Sequence, residues 1–255
     1  MSEFVASEQW TTEKIKAWVE AQTEANYWYQ TIPVRGQIVT PGKTDSLRRL
    51  RLLGLPDDLS GKSVLDVGCN SGMLCFECKK RHADRVVGVD VQPNRLKQAR
   101  ILAEIMGLDI EFREMNLFHV AELGQFDVVF CIAVLTEVTD LLGGLEVLKK
   151  VTGETLYLEL ATLETFPRNK YFLGIMNTLL ELNLNTVLSR LIPYWFRRFP
   201  LRGTAKLRRI KSDLTTGWAL VPDRLFLNAV IADQFEISDV GRSTRYNLFK
   251  LTRKD

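Results

Sequence analysis

Two aspartates and two glycines carry the clearest chemistry in this sequence. Asp66 lies at the carboxyl end of a short apolar, β-branched run, Ser63 to Val67, which has the length of a buried strand. Gly68 and Gly72 follow where backbone must turn tightly or come close to a ligand, and Met73 onward (M-L-C-F-E-C-K-K) reads as the opening of a helix. A strand, a glycine turn and a helix amino terminus together make a cofactor pocket. The dinucleotide pattern G-x-G-x-x-G would aim that terminus at a pyrophosphate. Here Asp66 replaces the first glycine, and a carboxylate repels phosphate, so the expected ligand is cationic. A second run, R-V-V-G-V-D, ends on Asp90 about twenty residues further on, the separation at which a carboxylate accepts both hydroxyls of a ribose.

On these residues the segment S-V-L-D-V-G-C-N-S-G resembles motif I of the class I S-adenosylmethionine (SAM) methyltransferases, with Asn70 in place of the usual middle glycine. The resemblance implies SAM as cofactor. Asp66, Gly68, Cys69, Asn70 and Gly72 would then face its amino acid end, Asp90 its ribose, and Val91 and Gln92 its adenine. Asn116, followed by Leu117, stands where the family usually places an acid for the adenine amino group, and an Asn carbonyl can accept the same hydrogen bond. Cys131 and Ile132 open the family's fourth motif, which lines the methyl-transfer channel. The reaction implied is in-line displacement at a sulfonium, driven by alignment and exclusion of water. Glu137, after the fourth strand at the pocket mouth, is the leading candidate for a general base, with His119 and Glu159 as further candidates. No residues are assigned to a metal.

The elements that must position these residues follow from periodicity. Ile15, Trp18 and Val19 recur at helical spacing between Thr11 and Glu24, with Thr11 or Thr12 as cap. The aromatic stretch that follows is broken by Pro33, Gly36, Pro41 and Gly42 and suits a packed, irregular lid, in which Trp28 is a candidate to meet substrate. Thr44 or Asp45 caps a leucine-rich helix that stops near Gly54 and Pro56. Pro93 opens the helix after Asp90 and Gly107 closes it. Phe126 to Ile132 is almost wholly apolar, as a parallel strand buried on both faces must be. The chain is therefore read as α/β, a Rossmann-like, seven-stranded, mostly parallel sheet with helices on both faces. Its last hairpin, by the resemblance, inserts an antiparallel strand at one edge.

The expected organisation is an amino-terminal helical and lid region (1–60), a SAM-binding core (61–165), an inserted helical cap (166–217) and the end of the core (218–255). The cap is too long for an ordinary connection. From Arg190 to Lys211 it gathers Arg197, Arg198, Arg202, Lys206, Arg208, Arg209 and Lys211 without one acid, interleaved with Tyr194, Trp195, Phe196 and Phe199. Arg197 and Arg198 are the candidates there for an anionic acceptor; a solvated face or a peripheral membrane contact are the other readings. The apolar stretch from Tyr171 to Ile192 is interrupted by Asn177, Glu181, Asn183, Asn185 and Arg190, so no transmembrane segment is expected. The acidic, polar start lacks a secretory signal and Cys69, Cys75, Cys78 and Cys131 read as buried free thiols, which points to the cytoplasm. A net charge of +3 does not by itself imply nucleic acid.

Across Trp28 to Gly72, and again at V-L-T-E-V, the chain is similar to the branch that includes tRNA wobble-uridine carboxymethyltransferases and their small-molecule relatives. Those tRNA enzymes carry Tyr, His and Arg after the fourth strand, where this chain has Thr136, Glu137 and Val138. The expected activity is methyl transfer to an O or N atom of a small, anionic, sugar-like or lipid-like acceptor. Modification of a tRNA wobble base and SAM binding without catalysis are the alternatives.

Overall fold

The computed structural model describes residues 10–25, 28–35, 38–44, 46–162, 206–211, 216–221, 224–242 and 246–254. Seven strands form one sheet: β1 (Ser63–Val67), β2 (Arg85–Asp90), β3 (Glu111–Glu114), β4 (Phe126–Ile132), β5 (Thr152–Leu160), β8 (Phe235–Arg242) and β9 (Asn247–Arg253). Their order is β3-β2-β1-β4-β5-β9-β8. The β3-β2-β1-β4-β5 pairs are all parallel, whereas β9 runs antiparallel between β5 and β8, as the resemblance implied. At the start of β1, Asp127 sets the register against β4: its Oδ2 accepts from the Ser63 amide at 2.7 Å and the Ser63 hydroxyl at 2.6 Å.

Strand alternation sorts the core into two layers. Val64 and Phe130 join α1 (Thr12–Ala25), α2 (Ser46–Leu53), α3 (Met73–Lys80) and α4 (Pro93–Met106) on one face. Leu65, Val67 and Val129 join α5 (Leu141–Val151), α6 (Arg224–Ile231) and the 3₁₀ helix Leu117–Leu123 on the other. Pro93 does start α4, and Gly107 ends it at φ 65°. Thr11 caps α1, accepting from the Lys14 amide at 3.3 Å. The lid segment is tied by bridges Gln30–Thr44 and Pro33–Val39 and buries Ile32, Val34 and Ile38. No helix among the described residues is long and apolar enough to cross a membrane.

The inserted cap differs from its expected helical form in the part that is described. Lys206–Lys211 (β6) and Thr216–Val221 (β7) pair as an antiparallel hairpin, with Arg208 opposite Ala219 and Arg209 opposite Trp218. Leu207 and Ile210 stand three residues apart within the basic run, a spacing that reads as helical, so the sequence concealed this strand. Arg197 and Arg198 lie outside the described residues.

Gly88, opposite Asp66 in the β1–β2 register, admits no side chain. A Cβ there would stand 2.8 Å from the Phe112 ring and 2.9 Å from the Cys75 sulfur. Gly88→Ala is therefore expected to destabilise the fold by about 1–3 kcal/mol through overpacking. Urea unfolding would read this as a lowered midpoint at unchanged slope, and an unchanged midpoint would contradict it.

Candidate functional site

A cavity of about 240 Å³ opens at the carboxyl ends of β1, β2 and β4. This is where the strand order reverses, the usual place for a ligand in an open α/β sheet. The turn after β1 supplies Asp66, Gly68 and Asn70; the end of β2 supplies Asp90, Val91 and Gln92; the loop after β4 supplies Ile132, Ala133, Val134 and Glu137. The lid and α2 close it with Tyr29, Gln30, Ser46 and Arg49.

The glycine turn is held by backbone. The Gly68 and Cys69 amides donate to Val89 O at 2.8 and 2.9 Å, and the Asn70 amide donates to Asp90 Oδ2 at 2.9 Å. Gly68 has φ 76°, and a Cβ on it would meet Val134 Cγ2 at 2.2 Å, so both conformation and packing require glycine. Asn70 has φ 54°, the left-handed region in which Asn is the best tolerated residue after glycine. Its departure from the family's middle glycine thus leaves the turn intact. Its Oδ1 also accepts from the Ser71 amide at 2.9 Å, and the Ser71 hydroxyl donates to Gln98 Oε1 at 2.8 Å.

The two acids differ in their surroundings. Asp90 is partly exposed, and its Oδ1 accepts from the Gln92 amide at 2.9 Å while Oδ2 takes Asn70. Each oxygen keeps a lone pair for a ribose hydroxyl. Burial raises its pKa, opposed by the amides of Gln92, Asn70 and Val91. Asp66 is 2% exposed, and burial, with the nearby Asp90 charge, pushes its carboxyl up to about 7 against a lowering hydrogen bond from Cys75. Such a group gains most from a cation in the pocket. Across the cavity Arg49 Nε lies 3.1 Å from Glu159 Oε2, a charge contact rather than an aligned hydrogen bond, and Nη2 donates to Oε1 at 3.5 Å. Glu159 is fully buried.

Of the residues singled out in the sequence, Asp66, Gly68, Asn70, Asp90, Val91, Gln92, Leu117, Ile132 and Glu137 line this cavity. Others stand elsewhere for identifiable reasons. Cys131 is fully buried among the residues of the opposite face, because alternation gives the pocket to Ile132. Cys69 is buried under the turn, with its sulfur 3.7 Å from Asn70 O, and Gly72 closes the turn at φ 91° against Phe76. Asn116 caps the 3₁₀ helix, its Oδ1 accepting from the Phe118 amide at 3.0 Å, and Met115 lines the cavity instead. His119 is exposed on that helix and contacts Glu122 at 3.1 Å, so it is not brought to the pocket. Trp28 is a core residue, 1% exposed, stacked edge-on to Trp18 at 5.8 Å and donating to Val19 O at 3.4 Å. All four cysteines are free and buried.

Several lining residues had no signal of their own in the sequence. Gln30 reaches from the lid to the turn, donating to Cys69 O at 3.4 Å and accepting from the Met73 amide at 3.3 Å. Arg49 and Ser46 arrive with α2. Ala133 has φ 63°, a strained conformation for a residue with a Cβ. Its amide donates to Glu159 O at 2.9 Å and its carbonyl accepts from the Thr136 hydroxyl at 2.6 Å.

Comparison with known proteins agrees with this geometry. Residues 58–181 match the family model described as a methyltransferase domain. The chain is 41% identical over 91 residues to a ubiquinone biosynthesis O-methyltransferase of Ruegeria pomeroyi, a match to 35% of this chain and 36% of that protein. It is 39% identical over 83 residues to a tRNA U34 carboxymethyltransferase of Idiomarina loihiensis, covering 31% of this chain and 26% of that one. The matches thus span about a third or less of these relatives' own length. Among solved structures, the N-terminal domain of EvdMO1, crystallised in the presence of SAH and D-fucose, superposes with a TM-score of 0.66 at 17% identity, over 94% of this chain and 97% of that one. The match at residues 58–181, together with the order and direction of the sheet, supports a class I SAM-dependent methyltransferase domain within this chain.

Proposed function

We propose that this protein transfers a methyl group from SAM to an O or N atom of a small, anionic, sugar-like or lipid-like acceptor. The observation that carries the reading is the placement of Asp66 and Asp90 at the carboxyl ends of adjacent parallel strands, on one cavity, with Arg49 facing them from α2. That charge pattern fits the cofactor: Asp66 suits its cationic amino acid end, Asp90 its ribose diol, and Arg49 its carboxylate. The close approach of backbone at Gly68 suits it as well. SAM supplies an electrophilic methyl group on a sulfonium.

The chain's own residues would do three things. The turn and Asp90 bind and orient the cofactor; Ile132, Ala133 and Val134 supply an apolar wall that excludes water on the acceptor side; Glu137, exposed at the mouth, accepts the acceptor's proton. The anionic acceptor is supported by Lys206, Arg208, Arg209 and Lys211 on β6, whose hairpin touches the 3₁₀ turn Leu135–Glu137 through β7.

The activity is tested by following labelled methyl from SAM onto a panel of phenolic, sugar and carboxylate acceptors, with bulk tRNA beside them. Transfer to a small acceptor is expected; transfer to tRNA alone would favour the wobble-base alternative, and binding without transfer to any acceptor the non-catalytic one. Asp90→Ala should weaken SAM binding at least about tenfold in a calorimetric titration, since it removes a charge-assisted bidentate contact. A variant that binds like the parent would count against the assignment. Glu137→Gln should lower kcat about 10²-fold while leaving SAM affinity alone; a kcat within a few-fold of the parent would remove Glu137 from the mechanism.

A further inference from the structure

The buried thiols beneath the glycine turn have no part in the mechanism above, yet one of them touches its central acid. Cys75, fully buried on the first turn of α3, places its sulfur 3.5 Å from Asp66 Oδ2. Among the described residues this thiol is the hydrogen-bond donor that Asp66 has, whereas Asp90 takes backbone amides on both oxygens. Its seat depends on Gly88, where a Cβ would come within 2.9 Å of the sulfur.

We infer that Cys75 is a positioning residue of the cofactor site: by donating its thiol hydrogen to Asp66 it holds that carboxylate and favours its ionised form, and so tunes the uptake of a cationic ligand. The inference rests on the reading that Asp66 faces the amino acid end of SAM.

The groups around Asp66 make this single bond decisive. From β2, Asp90 repels its charge. The thiols of Cys69 on the turn, Cys78 on α3 and Cys131 on β4 also lie within its field. Burial raises all of them, and raises Cys75 well above the ordinary thiol range, so Cys75 stays a protonated donor at any working pH. Arg49, across the cavity, is engaged with Glu159. A weak donor therefore stands against desolvation and a neighbouring like charge. The Asp66 carboxyl consequently titrates at about 7, within reach of neutral pH. A cation entering the site favours the carboxylate, so below that pH its binding releases the Asp66 proton to the buffer.

The test is calorimetric titration of SAM into the parent, Cys75→Ser, Cys75→Ala and Asp66→Asn proteins between about pH 5.5 and 8.5. Asp66→Asn supplies the baseline, because it retains the titration of the ligand's own amino group. Relative to it, the parent's affinity should fall about tenfold per pH unit below the midpoint. In Cys75→Ala the midpoint should move up by at least about half a unit, which is roughly threefold weaker binding at pH 6.5, with convergence on the parent at high pH. Cys75→Ser, a stronger donor, should move it down.

A second readout needs no ligand. Because the folded Asp66 pKa is raised, the folded protein binds more protons than the unfolded chain between the ordinary Asp range and about 7, so stability must fall as pH rises through that window. Asp66→Asn should flatten this fall and Cys75→Ala should extend it to higher pH. Identical midpoints in the parent and both Cys75 variants, or a loss of affinity equal at every pH, would reduce Cys75 to packing and overturn the inference while the Asp66 assignment stood. An Asp66→Asn protein with the parent's affinity and pH profile would overturn both.

Discussion

A carboxylate taken out of water is a poor ion until a cation arrives, and the end of β1 is built on that constraint. Asp66 lies on the middle strand of the parallel set, between β2 and β4, with apolar side chains on either side of it in sequence. Desolvation is the largest influence on it, and no cationic side chain is among the groups that offset it. The rest of the turn follows from keeping this acid in place: glycine at 68, the left-handed backbone at Asn70, and the amides bound to Val89 and Asp90 all bring β1 and β2 to end at one cavity.

Helix α2 completes the charge pattern from far away in the chain. Arg49 and Glu159 are 110 residues apart and meet at the cavity wall. A buried ion pair adds little net stability, because desolving both charges offsets their attraction, whereas removing one partner alone is costly. Its value here is positional, since it joins α2 to the end of β5 and sets the pocket's cation opposite its acids. Gln30 adds a neutral tie between lid and glycine turn, so the face that covers the cofactor and the face that cradles it are mechanically continuous.

Much of this was legible in the sequence because the information is local. The β-branched runs, Pro93 at a helix start, Gly107 at its end and the acids closing two strands each need only a few neighbours to be read. What the sequence concealed depends on the third dimension. Cys131 and Ile132 are adjacent, and only the phase of β4 decides which one meets the cavity; Asn116 and Met115 exchange roles because the former caps a helix. Trp28 has the chemistry of a substrate platform but lies in an aromatic row with Trp10 and Trp18 in the core. Tyr29, Gln30, Ser46 and Arg49 belong to the site because the lid and α2 fold back, and Ala133 because its backbone is held at φ 63°, for neither of which a short motif exists. In the insertion, apolar residues three apart within a basic run masked one strand of a hairpin.

The most direct test of the central claim is a crystal structure with S-adenosylhomocysteine bound. The account predicts ribose hydroxyls within hydrogen-bond distance of both Asp90 oxygens, and the amino group on the Asp66 side of the cavity facing Arg49 with its carboxylate. A nucleotide pyrophosphate over the glycine turn, or a nucleoside seated away from both aspartates, would contradict it.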